Sequence, residues 1–204
     1  MDIRINMAVE GIVDEAVAKR LLATVGVSPG LIIGKRGKDY LLKKLHGLNS
    51  SARSFPWLVL VDQDRDPDCP PALIAKWCPN PNPWLCLRVV VRAVEAWLIA
   101  DADGLADYLG ISTARIPFQP ELLSHPKTDI VHLARLSPKK EIRTDMIPAP
   151  HPDSPKVGPA YSSRVIEFVL NYWDIDNASK RAPGLARTLR KLRVLKNKLA
   201  HDHP

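Results

Sequence analysis

The chain has 204 residues, of which 46% are apolar and 25% charged, enough to bury a core of its own and most simply one domain. Its formal net charge of +7 favours a polyanionic partner such as nucleic acid, although many basic proteins bind none. Its three cysteines are odd in number and show no C-x-x-C spacing, so neither a disulfide framework nor a zinc knuckle is indicated and a reducing compartment is the default.

Neither export nor membrane insertion is expected. The N-terminal residues lack the basic start and the continuous apolar core of a signal peptide. The longest apolar stretch, residues 85–100, is interrupted by Arg88, Arg92 and Glu95, so we do not expect it to span a membrane. We therefore expect a cytoplasmic protein without membrane attachment.

The first predicted strand ends at an acidic residue. Apolar residues alternate with others over residues 3–9, which predicts a strand running directly into Glu10. A helix is predicted over residues 14–25, with Asp14 in its first turn, where the helix dipole favours acids. Helix capping is a sufficient explanation for Asp14. Helix capping does not explain Glu10, because Glu10 stands at the carboxyl end of a strand, where open α/β sheets bind ligands.

A basic loop follows the second predicted strand. Residues 31–33 suit a strand and residues 39–48 an amphipathic helix. The loop between them carries Lys35, Arg36 and Lys38. These side chains either contact a phosphate backbone or are the solvated charges of a surface loop.

The third predicted strand ends in alternating aspartates. Residues 57–61 form an unbroken apolar run, which predicts a strand covered on both faces of a parallel sheet. Asp62 and Asp64 would project to the same side at its carboxyl end, with Asp66 just beyond. Carboxylates held this close repel each other, and a hard divalent cation such as Mg²⁺ or Mn²⁺ relieves the repulsion. The alternative is an ordinary aspartate-rich turn.

A fourth strand completes the predicted sheet. A short helix is predicted over residues 72–77 and a largely apolar strand over residues 85–91, which leads into a helix over residues 93–100. Glu95 lies near the start of that helix and so near the same edge. The alternation of strands and helices predicts an α/β fold with a mostly parallel, Rossmann-like sheet of about four strands flanked by helices.

No strand is predicted beyond residue 110. We therefore expect residues 1–110 to form the catalytic α/β core and residues 111–204 a helical extension packed on it, the two together making one structural domain. Helices are predicted over residues 128–136, 161–172 and 183–199. The six histidines show no metal-ligand spacing and are expected to be structural or exposed.

The last predicted helix is strongly basic. Its leucines recur at helical spacing, which is typical of a helix that docks on its own domain and leaves its charged face outward. Arg190, Lys191 and Arg193 belong to that face and are candidates for contacts with nucleic-acid phosphates. The alternative is that these charges only solvate the helix.

The acidic motifs resemble those of the Toprim domain, the metal-binding fold of topoisomerases, primases and the overcoming-lysogenization-defect nucleases. Residues 10–14 (EGIVD) match the E-G-x-x-D/E form of those nucleases, and residues 62–64 match the D-x-D motif. Residues 89–101 look like the strand and E-x-E-A-x-L segment of a Toprim-like family of unknown function, often encoded beside ATPases. Ala93 replaces the first acid of that segment, which leaves Glu95 as its only acid.

The resemblance implies a Toprim-like fold and an enzyme, a Mg²⁺- or Mn²⁺-dependent nuclease acting on DNA or RNA. It also implies a companion ATPase and a role in phage defence. The catalytic candidates are Glu10, Asp62 and Asp64. The implied metal ligands are these three together with Asp14 and Asp66, and Glu95 for a second ion.

Two other functions remain open from the sequence. One is a non-catalytic nucleic-acid-binding or adaptor module that retains the fold, and the other is a metal-dependent nucleotidyl or phosphoryl transferase. No Ser-His-Asp or Cys-His arrangement and no G-x-G-x-x-G motif competes with them. Phosphodiester hydrolysis is favoured because it needs both cations that attract the backbone and carboxylates that hold metal ions.

Overall fold

The computed structural model describes residues 3–151 and 155–202 of the chain. At its centre, four strands pair in parallel in the order β2-β1-β3-β4. They are β1 (Arg4–Val9), β2 (Ser28–Gly34), β3 (Trp57–Asp62) and β4 (Leu85–Val90). This arrangement confirms the predicted α/β class with a parallel sheet of about four strands flanked by helices.

Helices connect the strands and form the remainder of the described chain. The three connections within the sheet each carry one helix, as parallel strands require: α1 (Ile12–Thr24), α2 (Lys38–Ser51) and α3 (Pro70–Trp77). After β4 come α4 (Glu95–Ala100), α5 (Ala102–Leu109), 3-10 turns at Thr113–Arg115 and Pro120–Leu122, α6 (Pro126–Arg135), α7 (Lys140–Met146), α8 (Tyr161–Asn171), α9 (Ile175–Arg181) and α10 (Pro183–Asp202). None of the helices in the described ranges is long and apolar enough to cross a bilayer.

The two central strands are largely buried. Every residue from 57 to 61 in β3 is buried, and so are Ile5 and Met7 in β1. A strand covered by helices on both faces needs apolar side chains on both faces, which is why the run shows no polar alternation. The prediction for residues 57–61 is therefore confirmed.

The chain divides into two compact units. The sheet unit comprises residues 1–91 and 184–204, and the helical unit comprises residues 92–183. The helical unit is thus inserted into the chain of the sheet unit. The division differs from the expected one, which placed the boundary at residue 110 and the last helix in the C-terminal extension.

Packing of α10 along β4 explains the difference. The Arg88 Nε donates a hydrogen bond to the Thr188 Oγ1 at 3.0 Å, and the Lys198 ammonium lies 4.3 Å from the centre of the Trp84 ring. Trp84 immediately precedes β4 and Arg88 lies in its second half, so α10 runs antiparallel to the strand. The buried stripe of α10 consists of Leu185, Leu189, Leu192, Leu195 and Leu199.

The helical unit is organised around buried aromatic rings and one buried aspartate. Asp101 accepts hydrogen bonds from the Gly104 backbone at 3.2 Å, which caps α5, and from the Asp174 backbone at 2.8 Å. The carboxylate thereby joins the start of α5 to the start of α9. The largest fully buried rings of the unit are Trp97, Tyr161, Phe168 and Trp173.

Candidate functional site

Glu10 and Asp62 meet at the carboxyl edge of the sheet. β1 and β3 pair in parallel with Ala8 beside Val59, so both strands end at this edge. The Glu10 Oε1 accepts a hydrogen bond from the Asp62 backbone N–H at 2.8 Å. The structure therefore brings together the two acidic motifs, 52 residues apart in the chain, that the sequence placed at neighbouring strand ends.

The carboxyl group of Glu10 is electrostatically perturbed. Its pKa is raised from the usual 4.5 to about 7, chiefly by burial and also by the charges of Asp14 and Asp64, while the Asp62 N–H and the Lys38 ammonium oppose the shift. Asp14 is itself only 7% exposed, in the first turn of α1. The pKa of Glu10 places the group close to half-protonation at neutral pH, as is common for catalytic acids and bases.

The Lys38 ammonium contacts the acidic cluster, which we define as Glu10, Asp14, Asp62 and Asp64. The Lys38 Nζ donates to the backbone oxygens of Asp62 at 2.7 Å and Gln63 at 3.1 Å, and to the Asp64 Oδ2 at 3.3 Å. It also lies 5.3 Å from the centre of the Trp77 ring. Lys38 was a candidate for phosphate contact, but its ammonium is directed into the cluster. Three converging oxygens and an aromatic face make this position suited to a cation.

The loop after β3 is held by Gln63. This buried side chain donates from Nε2 to the backbone oxygens of Asp66 at 3.2 Å and Asp68 at 2.9 Å. The Asp66 Oδ1 accepts the Asp68 N–H at 3.2 Å, which is a local turn contact. Asp66 therefore occupies a turn position, whereas Asp64 contacts Lys38.

Asp64 of the cluster and the neighbouring loop residue Lys35 have left-handed backbones. Lys35 and Asp64 have φ angles of 61° and 56°; residues other than Gly, Asn and Asp rarely adopt this region, so the conformation is unusual for Lys35 and less so for Asp64. Each follows the end of a strand, β2 for Lys35 and β3 for Asp64. Such conformations occur often at functional sites, because the surrounding structure must hold them in place.

The donor chemistry suits a hard divalent cation, but the side chains do not form a complete ligand set. Carboxylate and carbonyl oxygens are the ligands that Mg²⁺ and Mn²⁺ prefer. Across the described residues, no group of three or more His, Cys, Asp or Glu side chains is arranged to hold a metal ion. Two of the carboxylate oxygens face donors of the protein itself, since the Glu10 Oε1 accepts the Asp62 N–H and the Asp64 Oδ2 accepts from the Lys38 ammonium.

The other two basic loop residues already have partners. The Lys35 ammonium lies 3.0 Å from the Glu15 carboxylate, which also binds Lys19 at 2.6 Å, and both cations lower the pKa of Glu15. The Arg36 guanidinium lies 5.4 Å from the centre of the Tyr40 ring. Both side chains remain exposed, so they can still meet a polyanion.

The basic face of α10 is exposed and not neutralised by acids. Arg190, Lys191 and Arg193 all point to solvent, and none of the ion pairs found among the described residues involves them. The pKa of Arg88 is lowered mainly by burial and further by the charges of Arg187 and Arg190. Positive potential therefore accumulates beside β4.

Glu95 belongs to the helical unit and has partners there. It is 2% exposed, and its Oε1 accepts a hydrogen bond from the Tyr161 hydroxyl at 3.3 Å and lies 3.6 Å from the Lys127 ammonium. Burial and the Glu95 charge raise the pKa of Tyr161 well above its usual value. The sequence contained no signal for this cluster, because its members are separated by 32 to 66 residues. Its role as a ligand of a second ion stays a prediction.

The arrangement combines a carboxyl group of raised pKa, further carboxylates and the Lys38 ammonium at the edge where parallel sheets bind ligands. A carboxyl group with a pKa near neutrality is suited to general acid-base chemistry. Comparisons with protein-family models, with curated proteins and with solved structures found no match for this chain.

Proposed function

We propose that the chain is a Toprim-like nuclease that hydrolyses phosphodiester bonds of DNA or RNA with Mg²⁺ or Mn²⁺. The observation that carries the proposal is the meeting of Glu10 with the D-x-D segment at one sheet edge, where burial and neighbouring carboxylates raise the pKa of Glu10 to about 7. A carboxyl cluster of this kind in a chain of net charge +7 suits a polyanionic substrate and a divalent cation.

The residues take distinct roles in this proposal. Asp62 and Asp64 would hold the ion, with Asp14 as a further ligand. The bound ion would polarise the phosphate and lower the pKa of the attacking water. Glu10 would accept the proton from that water, because its pKa lies near the working pH. Asp66 and Glu95 remain additional ligand candidates.

The exposed cations supply the substrate surface. Arg190, Lys191 and Arg193 line the outer face of α10, and α10 packs along β4. β4 pairs with β3 so that Arg88 lies beside Leu60, two residues before Asp62. The basic face therefore runs close to the strand that carries the D-x-D segment. Lys35 and Arg36 add positive charge after β2. We also propose a cytoplasmic phage-defence role with an ATPase partner, on the resemblance alone.

Cleavage assays test the proposal directly. We expect the purified chain to cut plasmid, circular single-stranded DNA or RNA with Mn²⁺ and not with EDTA. The double variant Asp62→Asn and Asp64→Asn should be inactive yet folded, because the amide keeps the side-chain shape and removes the charge that binds a hard cation. Activity that survives in this variant would contradict the site assignment.

One observation favours the alternative of a non-catalytic nucleic-acid-binding module. Lys38 already supplies a positive charge to the Asp64 carboxylate, and no three-ligand group is formed among the described residues. A protein of this kind would bind nucleic acid equally well with Mn²⁺ and with EDTA and would cut none of the three substrates.

A further inference from the structure

The helical unit contains an open cavity of about 350 Å³, within the size range of small-ligand sites. It lies between the 3-10 turn at Pro120–Leu122 and the end of α9. Its lining includes Phe118, Gln119, Glu121, Leu122, Lys180 and Arg181. None of these residues belongs to the acidic cluster, and none is assigned a part in the function proposed above.

The apolar part of the lining is unusually exposed. Phe118 is 80% exposed and Leu122 74% exposed, although burying a Phe or Leu side chain would stabilise the fold by about 1.5–3 kcal/mol. Exposed apolar side chains grouped around a cavity and rimmed by polar residues are typical of binding sites. The ring of Phe118 is therefore available to a planar ligand.

Arg181 supports that ring from one side. Its guanidinium lies 5.6 Å from the centre of the Phe118 ring. The Nη2 donates to the Pro117 oxygen at 2.6 Å and the Nη1 to the Ala100 oxygen at 3.4 Å. These contacts fix the loop that carries Phe118 to the end of α4. The platform is thus held in place before any ligand arrives, which reduces the entropy lost on binding.

The cavity also carries positive charge. The ion pairs found in the described part of the chain include neither Lys180 nor Arg181. The acid of the lining, Glu121, accepts a hydrogen bond from the Trp97 indole N–H at 3.1 Å. A ligand with a flat apolar face and a nearby negative charge matches these features.

We propose that this cavity binds an unpaired base of single-stranded nucleic acid, with the base stacked on Phe118 and the adjacent phosphate near Lys180. Bases in a duplex are stacked on each other and cannot cover the ring, so the site selects single strands. The inference rests on the proposed function only in taking nucleic acid as the ligand, and it needs no metal ion.

Fluorescence anisotropy with a labelled 12-nucleotide single strand and the matching duplex, both in EDTA, tests the proposal. Loss of one base stack by Phe118→Ala should weaken single-strand binding by about five- to 140-fold and leave duplex binding unchanged. Phe118→Trp should retain single-strand binding, because it keeps an aromatic face. Phe55→Ala is the matched control, since Phe55 is 60% exposed and lies before the amino end of β3.

Three results would overturn the site. The first is that the wild type does not bind the single strand. The second is that Phe118→Ala changes the single-strand affinity less than twofold, and the third is that Phe55→Ala lowers this affinity as much as Phe118→Ala does. Competition by a mononucleotide as strong as that by the 12-mer would instead assign the cavity to free nucleotides and contradict the proposal. All of this binding is measured without metal and so does not depend on cleavage. If the wild type binds the single strand through Phe118 but shows no Mn²⁺-dependent cleavage, the proposed nuclease function is contradicted and the proposed base-binding site is not.

Discussion

Ionisation of the partly buried Glu10 lowers the free energy of unfolding, so this residue makes stability depend on pH. Its pKa is about 7 in the folded chain against a usual 4.5, so the folded state binds more protons than the unfolded state between these values. By linkage, the free energy of unfolding must fall as pH rises from 4.5 to 7 and stay lowered above 7. The decrease is about 1–2 kcal/mol after allowance for solvent screening of a partly exposed group.

Replacement of Glu10 by Gln should therefore stabilise the protein at pH 8. The amide oxygen can still accept the Asp62 N–H, and the buried charge is gone. We expect the gain in the free energy of unfolding, measured by urea denaturation in EDTA, to disappear as pH is lowered to 4.5. An equal gain at both pH values would mean that the charge of Glu10 is not the cause.

Lys38 should compete with a divalent ion for the same oxygens. Lys38→Met keeps the chain length and removes the ammonium that contacts Asp62, Gln63 and Asp64. We expect Mn²⁺ affinity, measured by calorimetry, to rise roughly tenfold once this positive charge is removed. Without metal, the variant should melt at a lower temperature than the wild type.

Lys43→Met provides the control for this experiment, since Lys43 is an exposed residue of the same helix. It should change neither the Mn²⁺ affinity nor the melting temperature appreciably. Weaker Mn²⁺ binding in Lys38→Met than in Lys43→Met would show that Lys38 supports the ion site instead of competing for it.

At the scale of elements, Gly34 joins the ends of β1 and β2. Its φ is 108°, and a Cβ at this position would overlap the Val9 carbonyl oxygen, which accepts the Lys35 N–H at 2.9 Å. Gly34→Ala should lower the free energy of unfolding by more than about 1 kcal/mol. Gly47→Ala, inside α2 with open space around the new methyl group, should raise it by about 0.5–1 kcal/mol. Urea denaturation of both variants checks the prediction. An unchanged free energy of unfolding in Gly34→Ala would contradict it.

If the basic face of α10 contacts nucleic acid, the affinity for duplex should depend on salt concentration in a way that its charges determine. Changing Arg190, Lys191 and Arg193 together to Gln keeps the helix propensity and removes three exposed charges. Each phosphate contact contributes about 0.9 to the slope of log affinity against log salt concentration. If all three residues contact duplex phosphates, the slope should therefore become less steep by about 2.7. Lys43→Gln with Lys44→Gln is the control on α2. An unchanged slope in the α10 variant would mean that these three residues do not contact phosphates and that the helix has a structural role only.

Local patterns predicted most of the elements, because each strand and helix has its own periodicity. The third strand was predicted from residue 57, where β3 begins. The second was predicted only for residues 31–33, although β2 begins at Ser28, since Pro29 and Gly30 are poor strand formers. The placement of α10 in the sheet unit was not predictable, because it depends on packing between elements far apart in the chain.

The same limit applies to the site. The nearness of Glu10 and Asp62 follows from parallel strands ending at one edge, so the sequence contained it. The inward direction of Lys38 does not follow, because it depends on how α2 approaches the loop after β3. Nor could Phe118 and Arg181 be paired from the sequence, since their contact spans 63 residues.

For the whole molecule, the acidic cluster and the net charge have opposite effects on ions. A chain of charge +7 repels cations in general, so weak surface binding of Mn²⁺ should be slight. Millimolar Mg²⁺ or Mn²⁺ should nevertheless raise the melting temperature, because an ion that binds only the folded state stabilises it. The same concentration of Na⁺ is the control. A melting curve that does not respond to either divalent ion would argue against a dedicated site.

Calorimetric titration of Mn²⁺ into the metal-free protein tests the central claim most directly, since that claim is that the carboxylates at the sheet edge hold a divalent ion. We expect saturable binding to the wild type, with affinity at least about tenfold lower in the variant with Asp62→Asn and Asp64→Asn, which removes two charged ligands. Circular dichroism of both proteins should be the same. Binding of equal strength in the two proteins, or no binding to the wild type at millimolar Mn²⁺, would contradict the claim.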